Sequence, residues 1–118
     1  MEIQGEDLDA LRKACLSSTY AFARIVCGFA DLDADVHSRM ATWEQKEARF
    51  KLGMAPRGFL KTSIWTIAGS LRRVTADPTQ RILLVNETAL NTSKWINLMQ
   101  DIVLSPIYRA LYPDRIPD

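Results

Sequence analysis

The sequence RFKLGMAPRGFLKTS occupies residues 49–63 and decides which fold the chain is expected to adopt. Residues 49–54 alternate between polar and apolar side chains, which is the pattern of a half-buried β-strand. Residues 55–60 contain a proline and a glycine and therefore predict a loop. A helix is predicted over about residues 61–75. Its apolar side chains recur every three or four positions: Ile64, Ile67, Leu71 and Val74.

A second strand is predicted at residues 82–85, because four consecutive apolar residues are typical of a strand that is covered on both faces. Another helix follows, and Ser105-Pro106 predicts a short helical turn that ends before Pro113. The apolar side of the longer helix consists of Trp95, Leu98, Met99 and Ile102.

Two helices are predicted before this region. The first runs from Asp7, as its N-cap, to about Gly28, and the second has Val36, Met40 and Trp43 on one face. The expected class is therefore α/β, with two N-terminal helices followed by strand, loop, helix, strand and helix. Residues 49–86 form a parallel βαβ unit in this interpretation. Two strands do not make a stable parallel sheet, so the chain is expected to be the front end of a larger domain.

Composition excludes several classes of protein. The 118 residues are enough for one small domain, and no apolar run approaches the ~20 residues of a membrane span. The acidic N-terminus does not resemble a signal peptide, so a cytoplasmic protein is expected. Cys15 and Cys27 are interpreted as apolar packing residues, because one histidine and no CxxC motif make a zinc site improbable.

Charge is unevenly distributed along the chain. Residues 1–47 carry nine acidic and five basic side chains, whereas residues 48–118 carry five acidic and ten basic ones. This distribution favours phosphate chemistry in the second half, although two differently solvated surfaces would give the same pattern.

The candidate site is the loop at the start of the predicted helix. In the P-loop pattern G-x-x-x-x-G-K-[ST], backbone amides hold phosphates, the lysine reaches the β- and γ-phosphates and the hydroxyl holds Mg²⁺. Lys61 and Thr62 occupy the last two positions, but Ala55 and Leu60 stand at the two glycine positions. An ordinary βα loop with a basic first turn is the alternative.

The segment MAPRGFLKTS, residues 54–63, resembles the deviant Walker A motif of the large terminase subunits of tailed phages. His37 and Trp43 resemble the residues that precede the ATPase strand in that family, and residues 81–88 resemble its next strand. The resemblance implies a helical lead-in over residues 1–48. It also implies that residues 49–118 are the first part of an additional-strand P-loop NTPase core, with the Walker A loop at 55–62.

The resemblance also assigns roles to individual residues, with ATP and Mg²⁺ as cofactors. Lys61 would contact the β- and γ-phosphates and Thr62 would ligate Mg²⁺. Arg57 would lie near the γ-phosphate, where a solvent-facing basic residue fits equally well. The remaining members of the nucleotide cradle would be Gly58, Phe59, Leu60 and Ser63.

The implied activity is that of an ATP-driven DNA-packaging motor in a bacterial host cell, encoded by a phage or prophage. Double-stranded DNA, the small terminase subunit and the portal protein are its expected partners, and no membrane is expected. The intact protein is expected to form a homo-oligomeric ring. No Walker B strand ending in Asp-Glu and no nuclease domain is found by residue 118, so enzymatic activity stays open. The alternatives are a truncated prophage remnant, a helical interaction module without catalysis, or a helicase-like P-loop ATPase.

Other residues receive structural interpretations. Asn86-Glu87 superficially imitates Walker B but is interpreted as a polar end that caps the next helix, and His37 as a structural residue. The three tryptophans are expected in the core or against a partner. Solvation at a helix end is favoured for the arginines, with DNA contact or an arginine-finger role as the alternative: Arg72, Arg73 and Arg81.

Overall fold

The computed structural model describes residues 5–116, and these residues form helices joined by irregular segments. No strand or sheet occurs among them, so the predicted α/β class, with its incomplete P-loop NTPase core, is wrong. The elements are α1 (Gly5–Ser17), α2 (Thr19–Ala21) continuing as a π-helical turn (Phe22–Val26), α3 (Val36–Gln45), a π-helical segment (Thr62–Ala68) continuing as α4 (Gly69–Ala76), α5 (Ala89–Val103), α6 (Pro106–Leu111) and a 3-10 turn (Pro113–Arg115).

Both predicted strands are irregular and open to solvent. Leu52 and Met54 are each 85% exposed, and Leu83 is 86% exposed. No backbone hydrogen bond joins residues 49–54 or 82–85 to another described residue. An alternating pattern shows which side chains share a face, but a strand also needs a neighbouring backbone. Residues 5–116 supply none, which is why the pattern does not become a sheet.

The first predicted helix is divided in two. Ser18 has an extended backbone (φ −140°, ψ 117°), and its hydroxyl accepts a hydrogen bond from the Ala21 amide. This makes Ser18 the N-cap of a new helix. Asp7 lies inside the first turn of α1 rather than capping it.

The core lies between the N-terminal helices and the three C-terminal ones. Ile64, Ile67 and Leu71 are buried, which confirms the predicted inner side of the helix that follows the loop, whereas Val74 is half-buried. The main core cluster consists of Cys15, Phe22, Val26, Ile67, Leu71, Ile102, Tyr108, Leu111 and Tyr112. A smaller one consists of Ala23, Leu32, Ala41, Ile64 and Ala68.

Helix α3 buries a different face from the one predicted. His37, Ala41 and Glu44 are buried, while Val36 at the start of the predicted face is 38% exposed. Both sets have the same i, i+4, i+7 spacing, so periodicity does not distinguish them. Glu44 has polar partners in the interior, and these contacts favour burial of the face that contains it.

Glu44 is the centre of a buried polar cluster, which we call the Glu44 network and which comprises Thr19, Glu44, Arg72 and Arg73. Arg73 Nε donates to Glu44 Oε1 at 2.8 Å, and Thr19 Oγ1 donates to Oε2 at 2.7 Å. Arg72 Nε donates to Thr19 Oγ1 at 2.8 Å. A Cβ at Gly69 would lie 2.9 Å from the Glu44 carboxyl carbon, so α4 approaches this carboxylate closely. The network joins α2, α3 and α4.

Candidate functional site

The candidate loop follows the exposed segment 49–54 and leads into the π-helical segment. Two of its residues have left-handed backbone conformations, Gly58 with φ 89° and Leu60 with φ 56°. A Cβ at Gly58 would meet nothing within 4 Å, so backbone conformation rather than crowding favours glycine there.

Leu60 is the unusual residue of the loop. It occupies the position where the P-loop pattern has its second glycine, and its backbone adopts the left-handed conformation that glycine adopts freely. For a residue with a side chain this conformation costs roughly 1–2 kcal/mol. The side chain is 36% exposed. At this position the chain therefore has a positive φ although the residue is not glycine.

Lys61 returns to the right-handed region, with φ −62° and ψ −36°. A left-handed residue followed by a right-handed one brings successive N–H groups to one side, which is the geometry of an anion-binding nest. The first amides of a helix also lack intrahelical acceptors and carry the positive end of the helix dipole. Residues 60–63 thus present backbone donors as a group.

The Lys61 side chain closes the loop. Its Nζ donates to the Ala55 carbonyl oxygen at 3.1 Å, which connects the two ends of the loop, and the side chain is exposed. Thr62 and Ser63 are half-buried in the first turn. Neither hydroxyl forms a hydrogen bond with another residue in the described part of the chain.

Arg57 and Phe59 lie on the outer part of the loop. The Arg57 guanidinium is exposed and forms no ion pair within residues 5–116. The Phe59 ring is 41% exposed. The Phe59 carbonyl, by contrast, faces the protein.

His37 connects this carbonyl to the start of α3. The Asp33 amide donates to His37 Nδ1 at 2.7 Å, so Nδ1 is an acceptor and carries no proton. His37 Nε2 lies 2.9 Å from the Phe59 carbonyl oxygen, which can only accept. The imidazole is therefore neutral, with its proton on Nε2. Sequence reasoning gave His37 a structural role without identifying either partner.

An aromatic pair supports the chain just before the loop. The Trp43 and Trp65 rings lie 5.1 Å apart, and the Trp65 indole donates to the Met40 carbonyl oxygen at 3.0 Å. A Cβ at Gly53 would lie 2.6 Å from the Trp43 ring, so only glycine allows the chain to cross there. Lys51 Nζ lies 5.3 Å from the centre of the Trp43 ring.

The structure does not gather a metal site around Thr62. Among residues 5–116 no group of three or more His, Cys, Asp or Glu side chains is placed to hold a metal ion. Mg²⁺ is usually bound in proteins through one or two carboxylates together with substrate phosphates and water. The residues present fit a phosphate cradle, while Mg²⁺ would reach Thr62 only as part of a nucleotide complex.

The remaining candidates lie away from the loop. Glu87 is exposed, and the cap of α5 is Thr88, whose hydroxyl accepts from the Asn91 amide. Arg81 is exposed. Arg72 and Arg73 belong to the Glu44 network, so their guanidinium groups are engaged in intramolecular contacts rather than projecting from a solvated helix end.

The thiols are poor nucleophiles. Burial raises the pKa of the Cys27 thiol to about 12, and burial also raises the pKa of Cys15. Both residues contribute to the apolar interior, as interpreted from the sequence.

Comparisons of the chain with protein-family models, with curated proteins and with solved structures gave no match. No helix among residues 5–116 is long and apolar enough to cross a membrane.

Proposed function

We propose that residues 57–63 bind the phosphate groups of ATP. The observation that carries the proposal is the left-handed backbone of Gly58 and Leu60 in the loop that leads into the helical segment Thr62–Ala68, with Lys61 at its N-cap. Binding an anion at a helix N-terminus requires free amides, a favourable dipole and a cation. It requires no sheet, so the proposal is compatible with the all-helical structure.

The loop residues have separate tasks in this proposal. The amides of residues 60–63 donate to phosphate oxygens, and the Lys61 ammonium exchanges the Ala55 carbonyl for a phosphate oxygen. The Thr62 hydroxyl is available to Mg²⁺ that arrives with the nucleotide. Arg57, which has no carboxylate partner among residues 5–116, supplies a second cation at the outer side of the loop.

We further propose that the chain belongs to the ATP-driven DNA-packaging motor of a tailed phage, working in the cytoplasm of a bacterial host. The support is the loop sequence and its backbone conformation. Double-stranded DNA, the small terminase subunit and the portal protein are the partners that this proposal implies, with assembly into a ring of several copies. The sequence contains no Asp-Glu pair to support Mg²⁺ and orient water, so we propose nucleotide binding and not hydrolysis for these residues.

Calorimetric titration with Mg-ATP tests the loop. Lys61→Ala should weaken binding about ten- to a hundredfold, because a charge-assisted contact contributes roughly 1.5–3 kcal/mol. Arg57→Ala should weaken it less. Lys94→Ala is the matched control, because Lys94 is an exposed lysine on α5. Equal affinity of wild type and Lys61→Ala would show that the loop only connects two elements.

A measurement of ATP turnover tests the proposal that these residues bind the nucleotide without hydrolysing it. The chain should hydrolyse ATP at background rate, whereas Lys61-dependent turnover on the order of 1 s⁻¹ or more would show that another group completes the site.

A helical interaction module is the second candidate function. The observation that favours it is the row of exposed apolar side chains on irregular segments: Phe50, Leu52, Met54, Leu83 and Val85. Absence of Mg-ATP binding by the wild-type chain, together with self-association seen by sedimentation, would favour this candidate over the nucleotide site.

A further inference from the structure

We infer that His37 is a positioning residue: its neutral imidazole holds the Phe59–Leu60 peptide in the orientation that aims the Leu60 amide toward an anion. The consequence for nucleotide affinity rests on the proposed function. The effect on the loop itself does not, because it concerns only the two hydrogen bonds of the ring.

The geometry of the peptide unit carries the inference. In a trans peptide the C=O of one residue and the N–H of the next point in opposite directions. His37 Nε2 lies 2.9 Å from the Phe59 carbonyl oxygen, so the Leu60 N–H points away from His37. That N–H is the first of the amides that residues 60–63 present together. The ring therefore orients a binding group without itself touching the ligand.

The same hydrogen bond helps to hold Leu60 in its left-handed backbone conformation. A left-handed conformation at a residue with a side chain persists only where surrounding contacts hold it in place. His37 is 7% exposed and is fixed on its other side by the Asp33 amide at 2.7 Å. The Phe59 carbonyl is thus held by a ring that is itself immobilised.

Protonation removes one of the two bonds. A charged imidazole carries N–H on both nitrogens, so Nδ1 can no longer accept from the Asp33 amide. On the α3 side the charged neighbour is the Asp33 carboxylate, and farther along Asp35 and Arg39 pair with each other at 3.1 Å. Arg24, on the π-helical turn after α2, donates from Nη1 to the Leu32 carbonyl oxygen at 2.7 Å, in the same peptide group whose Asp33 amide donates to His37. On the loop side the charges are Arg57 and Lys61, two residues to either side of Phe59. Acid should therefore loosen the loop.

The first experiment needs no ligand. His37 is the only histidine in the chain, so its two ring nitrogens can be observed without overlap by ¹⁵N NMR. The Nε2–H tautomer is expected at about pH 8. The Ile64 amide donates to the Leu60 carbonyl oxygen at 3.1 Å, so acid should make it exchange faster relative to the amides of α5. A proton on Nδ1 at about pH 8, or loop exchange unchanged by acid, would overturn the inference.

The second experiment uses variants of the full chain. His37→Gln keeps one donor and one acceptor but cannot gain a proton, whereas His37→Ala loses both bonds. Thr42→Ala is the control on the same helix, because among the described residues its hydroxyl bonds to the Ser38 carbonyl alone. Mg-ATP affinity at about pH 8 should fall roughly two- to tenfold in His37→Ala and return toward wild type in His37→Gln.

The pH profile separates positioning from a general structural role. As the pH is lowered from about 8, wild type should lose affinity faster than His37→Gln, because only the imidazole can gain a proton. Since the nucleotide is the same, its own protonation affects both proteins equally. Parallel profiles for the two proteins would contradict the inference.

The outcomes also distinguish failure of the inference from failure of the proposed function. If no protein binds Mg-ATP, the nucleotide site is wrong, and the NMR tautomer and exchange data still decide the role of His37. If wild type binds and His37→Ala binds equally with unchanged loop exchange, the inference is wrong while the site stands. Should His37→Ala fail to fold, His37→Gln and the NMR data give the decision.

Discussion

The Glu44 network and the candidate loop each contain two cationic side chains, but these differ in burial and in pairing with a carboxylate. Arg72 and Arg73 surround one buried carboxylate, and Arg73 lies 2.8 Å from it. Arg57 and Lys61 are exposed and have no carboxylate partner within residues 5–116. Paired cations fix helices in place, whereas unpaired ones beside free amides remain available to an external anion. Burial and pairing, rather than charge alone, separate the two roles.

The largest effect is expected on removing the centre of the network. Glu44→Ala leaves two arginines without their carboxylate in a site where Glu44 and Arg72 side chains are only 11% and 12% exposed. Breaking such a pair costs about 3 kcal/mol, so the urea unfolding midpoint should fall sharply.

Glu47→Ala is the matched control, because Glu47 is exposed on the segment after α3. Its effect should remain within about 0.5 kcal/mol. Similar midpoints for the two variants would mean that the Glu44 network contributes nothing to stability.

The next effect is expected at Gly69, where α4 faces the Glu44 carboxylate. Gly69→Ala places a methyl group 2.9 Å from Glu44 Oε1, and the carboxylate is fixed by its partners. Overpacking costs typically 1–3 kcal/mol, partly offset by the better helix propensity of alanine. The thermal midpoint of this variant is compared with that of Gly5→Ala, where a Cβ meets nothing within 4 Å. A higher thermal midpoint for Gly69→Ala would show that the Glu44 carboxylate moves aside at little cost in free energy.

A smaller effect is expected in the loop. Leu60→Gly relieves a left-handed conformation that costs roughly 1–2 kcal/mol. Glycine also raises the conformational entropy of the unfolded chain, which cancels about half of this gain in folding free energy. Because the Leu60 side chain is only 36% exposed, its removal also loses packing, and the stability of the variant should stay within about 1 kcal/mol of wild type. Leu60→Val, with a branched side chain in the same conformation, should be less stable than wild type. Chemical unfolding that ranks valine above glycine would refute this assignment.

The smallest effect is expected in acid. The Asp77 pKa is lowered by the Thr79 hydroxyl and amide, and the Asp33 pKa by the amides of Val36 and Asp35. A lowered pKa in the folded state stabilises the fold above the unfolded pKa of about 3.9, and the contribution is lost as pH falls through the folded pKa.

Thermal unfolding between about pH 5 and pH 2 measures this contribution. Asp77→Ala should flatten the decline of the midpoint slightly, since the carboxylate is exposed. Asp101→Ala is the control, because Asp101 is an exposed carboxylate on α5. A steeper decline in Asp77→Ala would reverse the sign of the prediction.

Much of the helical structure could be read from the sequence, because periodicity and caps are local. The run from Ile64 to Leu71 and the cap at Ser105 lie where predicted. The strands failed for a non-local reason: the alternation of residues 49–54 is present, but no backbone pairs with it among the described residues. The division of the first helix depends on one hydroxyl, that of Ser18, within an otherwise continuous apolar pattern.

The residues of the candidate site were named from the sequence, but the residues that support the loop were not. Lys61 and Thr62 stand at the helix start as predicted, and nothing yet tests their roles. The contact between His37 and Phe59 spans 22 positions, and no sequence pattern signals it. Glu44 was missed because charged residues are normally assigned to the surface. The shared spacing of His37, Ala41 and Glu44 was the available signal.

The contact between the Trp43 and Trp65 rings has an optical consequence. Two of the three indoles in the chain lie together, and Trp65 is one helical turn beyond Lys61, while Trp95 lies on α5. The segment that crosses Trp43 at Gly53 shields this pair from water. Ultraviolet emission of the unlabelled protein is therefore dominated by chromophores beside the loop. Any event that lifts residues 51–53 off the indoles should shift that emission to longer wavelength.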